Sequence, residues 1–188
     1  MHYSKLQKFQ FIDDLNIKNI SKDTTNLSII YRNYSKVIKT KELIKIKEFC
    51  RKRRIKFYIS NNIEKCLKYD LDGLYIPSFN KRNLTKKLKL HKQIIIGSAH
   101  NQIEIRKKIE QGCKIIFLSP LFKTYKLKHL GIARFNLIKI SFKKKFVALG
   151  GINQENIKKI KMLDIYGISG ISMYKKKPAF FKAGFNKI

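Results

Sequence analysis

The sequence contains no tryptophan and only three prolines in 188 residues. Its three cysteines, Cys50, Cys66 and Cys113, lie too far apart for the close pairs that hold zinc or exchange disulfides. An odd count also argues against a disulfide framework, so reduced and mostly buried thiols are expected. No stretch reaches ~18 consecutive apolar residues, which argues against a membrane span. The start Met1-His2-Tyr3-Ser4-Lys5 leads into no apolar signal core, and a cytoplasmic protein is the expectation. Acidic residues are scarce: 12 Asp+Glu stand against 43 Lys+Arg, a formal net charge of +31.

A field of that size attracts polyanions. Weak, non-specific binding to them at low salt is therefore expected. The lysines run through the whole chain rather than forming a tail. Lys, Ile, Asn, Phe and Tyr are abundant together, as an AT-rich coding sequence would produce. Dedicated nucleic-acid binding is accordingly the lesser alternative.

What the chain does contain is a recurring unit: a short apolar run, a polar or glycine turn, then a helical pattern. No linker or low-complexity block interrupts it, so residues 1–188 read as one domain. Four apolar runs are clear. Gln93 to Ile96 leads into Gly97-Ser98-Ala99-His100, and Lys114 to Leu118 into Ser119-Pro120. Phe146 to Leu149 leads into Gly150-Gly151, and Gly167 to Ile171 into Ser172-Met173. They are apolar throughout, as parallel strands buried on both faces should be. Fainter candidates are Lys8 to Ile12, Leu27 to Tyr31, Ile55 to Ile59 and Gly73 to Ile76, which brings the count to eight.

Helical patterns fall between these runs. Leu43, Ile46 and Phe49-Cys50 form an apolar stripe within 41–51. Asn101 with Glu104 predicts a capping box, and Gly112 a helix end. Asn153 predicts the cap of a helix running to about Met162. The fold expected is α/β: one compact TIM (β/α)8 barrel. The polar, turn-rich stretch 13–26 makes its first helix short or missing. Such barrels usually exceed ~200 residues, so an open doubly wound sheet is the runner-up.

Gly150-Gly151 closes a buried strand and precedes a helix. Backbone without side chains lets N–H groups approach an anion, and a helix N-terminus favours negative charge. Ile171-Ser172 closes the following strand, and barrels often hold phosphate after their last two strands.

Several motifs stand in order. They are Ile96-Gly97-Ser98-Ala99-His100-Asn101, Leu118-Ser119-Pro120-Leu121-Phe122-Lys123-Thr124, Leu130-Gly131-Ile132-Ala133-Arg134-Phe135 and Ala148-Leu149-Gly150-Gly151-Ile152. The series resembles the thiamine phosphate synthase/TenI family, best from about Gln93 to Met173. The resemblance implies a TIM barrel and a cytoplasmic transferase of thiamine biosynthesis. That enzyme joins an aminopyrimidine diphosphate to a thiazole phosphate and releases diphosphate, with magnesium steadying the leaving group. TenI-like relatives act on a thiazole phosphate or have no settled activity.

Carried over by position, the resemblance implies thiazole-phosphate binding by Gly150, Gly151, Ile171 and Ser172. It implies a diphosphate-handling Arg32, site roles for Ser98, His100 and Thr124, and a loop lysine at Lys126 or Lys128. The departures cluster at the metal. Asn61 and Asn80 stand where the synthases carry aspartates. An amide oxygen can ligate magnesium but brings no negative charge, so a weakened Mg2+ site is expected. Tyr34 replaces a lysine. Ser119-Pro120 stands where the thiazole isomerase has a histidine, which argues against that isomerisation. The expected function is thus of the synthase type. The alternative is a TenI-like or non-catalytic barrel that keeps the phosphate cradle without the metal. Self-association into a homo-oligomer is left open. Tyr75 and Phe79 are expected mainly to pack, and His100 has a competing role as a brace at a helix start.

Overall fold

The computed structural model describes residues 6–34, 37–83, 92–124, 128–153 and 155–170. Eight parallel strands close into a barrel in sequence order. They are β1 (Gln7–Ile12), β2 (Leu27–Tyr31), β3 (Lys56–Ser60), β4 (Gly73–Ile76), β5 (Ile94–Ala99), β6 (Ile115–Leu118), β7 (Lys145–Leu149) and β8 (Gly167–Ser169). The ring shuts where β1 meets β8, with Lys8 opposite Ile168. The open doubly wound sheet is thereby excluded.

Two apolar clusters explain why the strands read as unbroken apolar runs. Phe9, Ile30, Tyr58, Tyr75, Ile96, Phe117 and Val147 fill the barrel. The intervening residues, such as Ile29, Phe57, Leu74, Ile95, Ile116 and Phe146, pack outward against the helical layer. Each strand therefore buries both faces, and period-2 alternation disappears.

The helical layer is thin. Between β1 and β2 only a single 3-10 turn, Ile17–Asn19, occupies the place of the first helix, as expected. α1 (Thr40–Lys52) buries Leu43, Ile46 and Cys50, the stripe seen in the sequence. α2 (Ile63–Lys68) opens at Asn62, whose side chain accepts the Lys65 N–H at 2.9 Å. α3 (Gln102–Glu110) opens at Asn101, whose Oδ1 accepts the Glu104 N–H at 2.9 Å. The return bond of the capping box is displaced by one residue: Glu104 accepts the backbone N–H of His100, not that of Asn101. α4 spans Gly131–Ile140.

The helix expected after Asn153 is a 3-10 helix, Ile157–Met162. Asn153 caps the turn that leads into it, as expected: its Oδ1 accepts from the N–H groups of Glu155 and Asn156 at 3.0 Å each, and its carbonyl accepts the Ile157 N–H at 3.0 Å. All three cysteines are free and buried. Among the described residues no helix is long and apolar enough to cross a membrane.

Candidate functional site

The predicted site residues gather at the C-terminal ends of the strands, because a parallel barrel sends every strand-to-helix loop to one face. Arg32 follows β2, Asn61 follows β3 and Asn80 lies in the loop after β4. Ser98 lies within β5 and His100 just beyond it. Thr124 follows β6, and Gly150 and Gly151 follow β7. Ile171, Ser172 and Lys126 fall outside the described residues.

Gly150 and Gly151 both have positive φ, 91° and 71°, a region that side-chain-bearing residues enter at a cost. The segment from β6 is laced against them. The Leu121 N–H donates to the Leu149 carbonyl at 2.9 Å, and the Phe122 N–H to the Gly150 carbonyl at 3.1 Å. A Cβ on Gly151 would lie 2.6 Å from the Phe122 oxygen and 2.8 Å from the Lys123 oxygen. Thr124, the next residue, is therefore delivered beside the glycine crest. Asn156 fixes the far side of the turn, its side-chain amide donating to the Gly151 carbonyl at 2.7 Å. β7 and β8 are neighbours, with Leu149 opposite Ser169.

His100 is held by the end of β6. Its Nδ1 lies 2.9 Å from the Ser119 carbonyl and 3.2 Å from the Ser119 hydroxyl. The carbonyl only accepts, so Nδ1 is the donor in that bond. Here the Ser119–Pro120 peptide is cis. Arg32 lies with its guanidinium 4.9 Å from the centre of the Phe11 ring, and its Nε is 3.6 Å from an Asp13 carboxylate oxygen.

Below these groups the barrel is closed by aromatic rings. Phe11, Tyr75 and Phe117 meet edge to face, with centroids 5.3 to 6.1 Å apart. Tyr75 and Phe117 are buried, so Tyr75 is a packing residue, as expected. Burial raises the Tyr75 phenol above its ordinary range, while a hydrogen bond with Ser98 opposes the rise. Phe79 is different: it is exposed and stands edge-on to Tyr34, centroids 5.5 Å apart. The Tyr34 hydroxyl pairs with Ser60 Oγ at 2.9 Å.

Asn61 and Asn80 are brought together, as the metal reading required, but they bind each other. The Asn80 amide nitrogen donates to Asn61 Oδ1, and Asn80 Oδ1 accepts the Arg82 N–H at 2.9 Å. Asn61 has φ 56°, a left-handed conformation that asparagine tolerates better than most residues. Both amide oxygens that a magnesium ion would need are engaged. Among the described residues no group of three or more His, Cys, Asp or Glu side chains could hold a metal. This donor set does not fit magnesium, a hard cation that draws on carboxylate oxygens.

Sequence reasoning missed Lys108 and Gln111. Both are buried, at 1% and 0% exposure, and both reach the loop that carries Asn80. The available signal was positional: Lys108 shares the core-facing side of α3 with Ile105.

The thiamine monophosphate synthase family model matches residues 27–174, and the chain belongs to that family. Thiamine-phosphate synthase of Pelagibacter ubique is 30% identical across 93% of this chain and 87% of its own length. The enzyme from Prochlorococcus marinus strain SARG is 32% identical over 140 residues, 72% of this chain. The chain spans only 40% of that relative's length. Thiamine phosphate pyrophosphorylase from Pyrococcus furiosus superposes with a TM-score of 0.70, covering 89% of this chain and 85% of that one. Its 18% identity speaks for the fold alone.

Proposed function

We propose that this chain is a thiamine phosphate synthase that joins an aminopyrimidine diphosphate to a thiazole phosphate. The observation that carries the reading is the crest formed by Gly150, Gly151 and the laced segment 120–124 at the mouth of a closed barrel. It sits where a dianion meets side-chain-free backbone. Ile171 and Ser172, which follow β8 in the sequence, would complete the grip on the thiazole phosphate.

In the reaction the bond between the pyrimidine methylene and the diphosphate oxygen breaks, and its electron pair leaves with diphosphate. The thiazole nitrogen lone pair then forms the new C–N bond. Fixed positive charge aimed at the leaving group lowers the barrier to such a step. Arg32 supplies that charge, with Lys126 or Lys128 from the loop after Thr124. The pairing of Arg32 with Asp13 and its stacking on Phe11 hold it at the mouth. The aromatic floor of Phe11, Tyr75 and Phe117 keeps water away from the cationic pyrimidine from below. His100 and Ser98 line the mouth from β5, two strands along from the crest's own β7.

The test is turnover. Purified protein is mixed with both substrates, with magnesium and separately with EDTA, and the product is measured by chromatography. Thiamine phosphate formation supports the synthase reading; no product under either condition removes it. The Asn61–Asn80 pair favours one second reading, a barrel that binds thiazole phosphate without turnover. Calorimetric binding of that ligand by inert protein would establish it.

A further inference from the structure

Lys108 is the one lysine among the described residues whose side chain lies wholly in the core. It springs from α3, and its stem crosses the outer face of β5 at Gly97. A Cβ on Gly97 would lie 3.0 Å from Lys108 Cδ and 2.7 Å from Cys113 Sγ. Glycine at this position thus leaves the channel through which the lysine passes. Its ammonium emerges beneath the loop after β4. There Nζ donates to the Pro77 carbonyl at 2.7 Å, the Asn80 carbonyl at 2.7 Å and Gln111 Oε1 at 2.9 Å.

The three acceptors match the three ammonium donors, and none is a carboxylate. Gln111 doubles the attachment. Its Nε2 donates to the Asn80 carbonyl at 3.0 Å and to the Arg82 carbonyl at 2.7 Å. Two buried side chains, one in the last turn of α3 and one at its C-terminal cap, therefore hold residues 77, 80 and 82 from below. On the loop's upper side, Phe79, Asn80, Lys81 and Arg82 line an open polar cleft with Asn61.

A buried ammonium on neutral oxygens is costly, since desolvation disfavours its charge. An apolar residue would fill the same space on α3 without that cost. Carbonyl oxygens gathered around a cation are what a metal site usually supplies to a loop. Here the cation is covalently part of the chain and lies behind the loop, while the amides in front engage each other.

We infer that Lys108, with Gln111, is a positioning residue that sets the loop after β4 for the diphosphate-bearing substrate in place of a metal ion. The inference rests on the synthase reading for its substrate, but not for its loop.

The experiment compares the wild type with Lys108→Met, Lys108→Arg and Gln111→Leu. Hydrogen exchange is followed at residues 77–82, and each substrate is varied separately in steady-state kinetics with EDTA present. Lys108→Met is expected to speed exchange at Asn80 and Arg82 and to raise KM for the aminopyrimidine diphosphate by roughly ten- to a hundredfold, the usual effect of losing a group that orients a binding residue. The KM for thiazole phosphate should stay within about twofold, because its crest lies on β7. Lys108→Arg should recover most of the loss. Gln111→Leu, which leaves the ammonium in place, should show a smaller shift in the same direction, and it serves if Lys108→Met does not fold.

Unchanged exchange overturns the inference. So does faster exchange with neither KM altered, or an equal rise in both. If the wild type makes no product, the synthase reading fails on its own. Calorimetric affinity for inorganic diphosphate then decides, and a Kd unaffected by Lys108→Met overturns the positioning role.

Discussion

The side-chain amide of Asn80 donates to the side-chain oxygen of Asn61 across the ends of β3 and β4. Replacing both by aspartate should turn this neutral pair into two adjacent carboxylates. Like charges so close repel unless a cation lies between them. The double variant Asn61→Asp/Asn80→Asp should therefore lose stability in EDTA and regain it in magnesium. At about a hundred times Kd, ligation stabilises by about 2.7 kcal/mol, which is roughly 5–10 °C in melting temperature for a chain of this size. Melting curves at matched ionic strength check this. A wild type that shifts as much as the variant would contradict the poor fit of magnesium.

Gly151→Ala should damage the proposed phosphate crest directly. The new Cβ would strike the Phe122 and Lys123 carbonyls, and the backbone already sits at φ 71°. Strain of this kind costs about 1–3 kcal/mol. Calorimetry with thiazole phosphate should show at least a tenfold weaker affinity, alongside a lower melting temperature.

Burial pushes the thiols of Cys50, Cys66 and Cys113 up to about 12. Thiolate is the reactive form, so none should react with an aromatic disulfide reagent at pH 8 in the native state. All three should react once urea unfolds the chain. Rapid native labelling would show that at least one thiol is reached through local opening.

The Lys8 hydrogen bond and the Thr25 backbone N–H lower the Asp23 carboxyl to about 2 from an ordinary 3.8. A depressed carboxyl contributes stability that is whole above its unfolded value and lost as pH falls through the folded one. Asp23→Asn should therefore lower the urea midpoint by a constant amount from pH 5 to 7. The gap to wild type should close between about pH 4 and pH 2.

Six lysines, Lys56, Lys114, Lys139, Lys143, Lys144 and Lys145, line a concavity together with Asp164 and the first residues of several strands. Retention on a polyphosphate resin should be strong at ~10 mM salt and lost near ~150 mM, as counterion release dictates. Retention that survives physiological salt would argue for a dedicated polyanion site.

Most of the barrel was legible because strands buried on both faces declare themselves as runs such as Ile94-Ile95-Ile96 and Phe146-Val147-Ala148. The tight turn at Gly150-Gly151 was legible too, since adjacent glycines after a strand suit backbone at positive φ. Two things were not. Asn153 declares itself as a cap, but nothing local shows that the helix after it is a tighter 3-10 one. Lys108 was hidden because a lysine in a helical pattern is ordinarily placed in water. Its burial depends on the absence of a side chain at Gly97 and on carbonyls from a loop 28 to 31 residues away. Such partners have no local signature.

The pairing of Lys8 with Ile168 carries a cost for assembly. Every other ladder joins strands adjacent in sequence, but this one must bring together residues some 160 positions apart. Until it forms, β1 and β8 both present bare amide and carbonyl rows, the kind of edge that pairs with other chains. Loss of the last strand would leave the remaining ring with two raw margins. The species most vulnerable to fibrillar deposition is thus the nearly finished barrel that still lacks its seam.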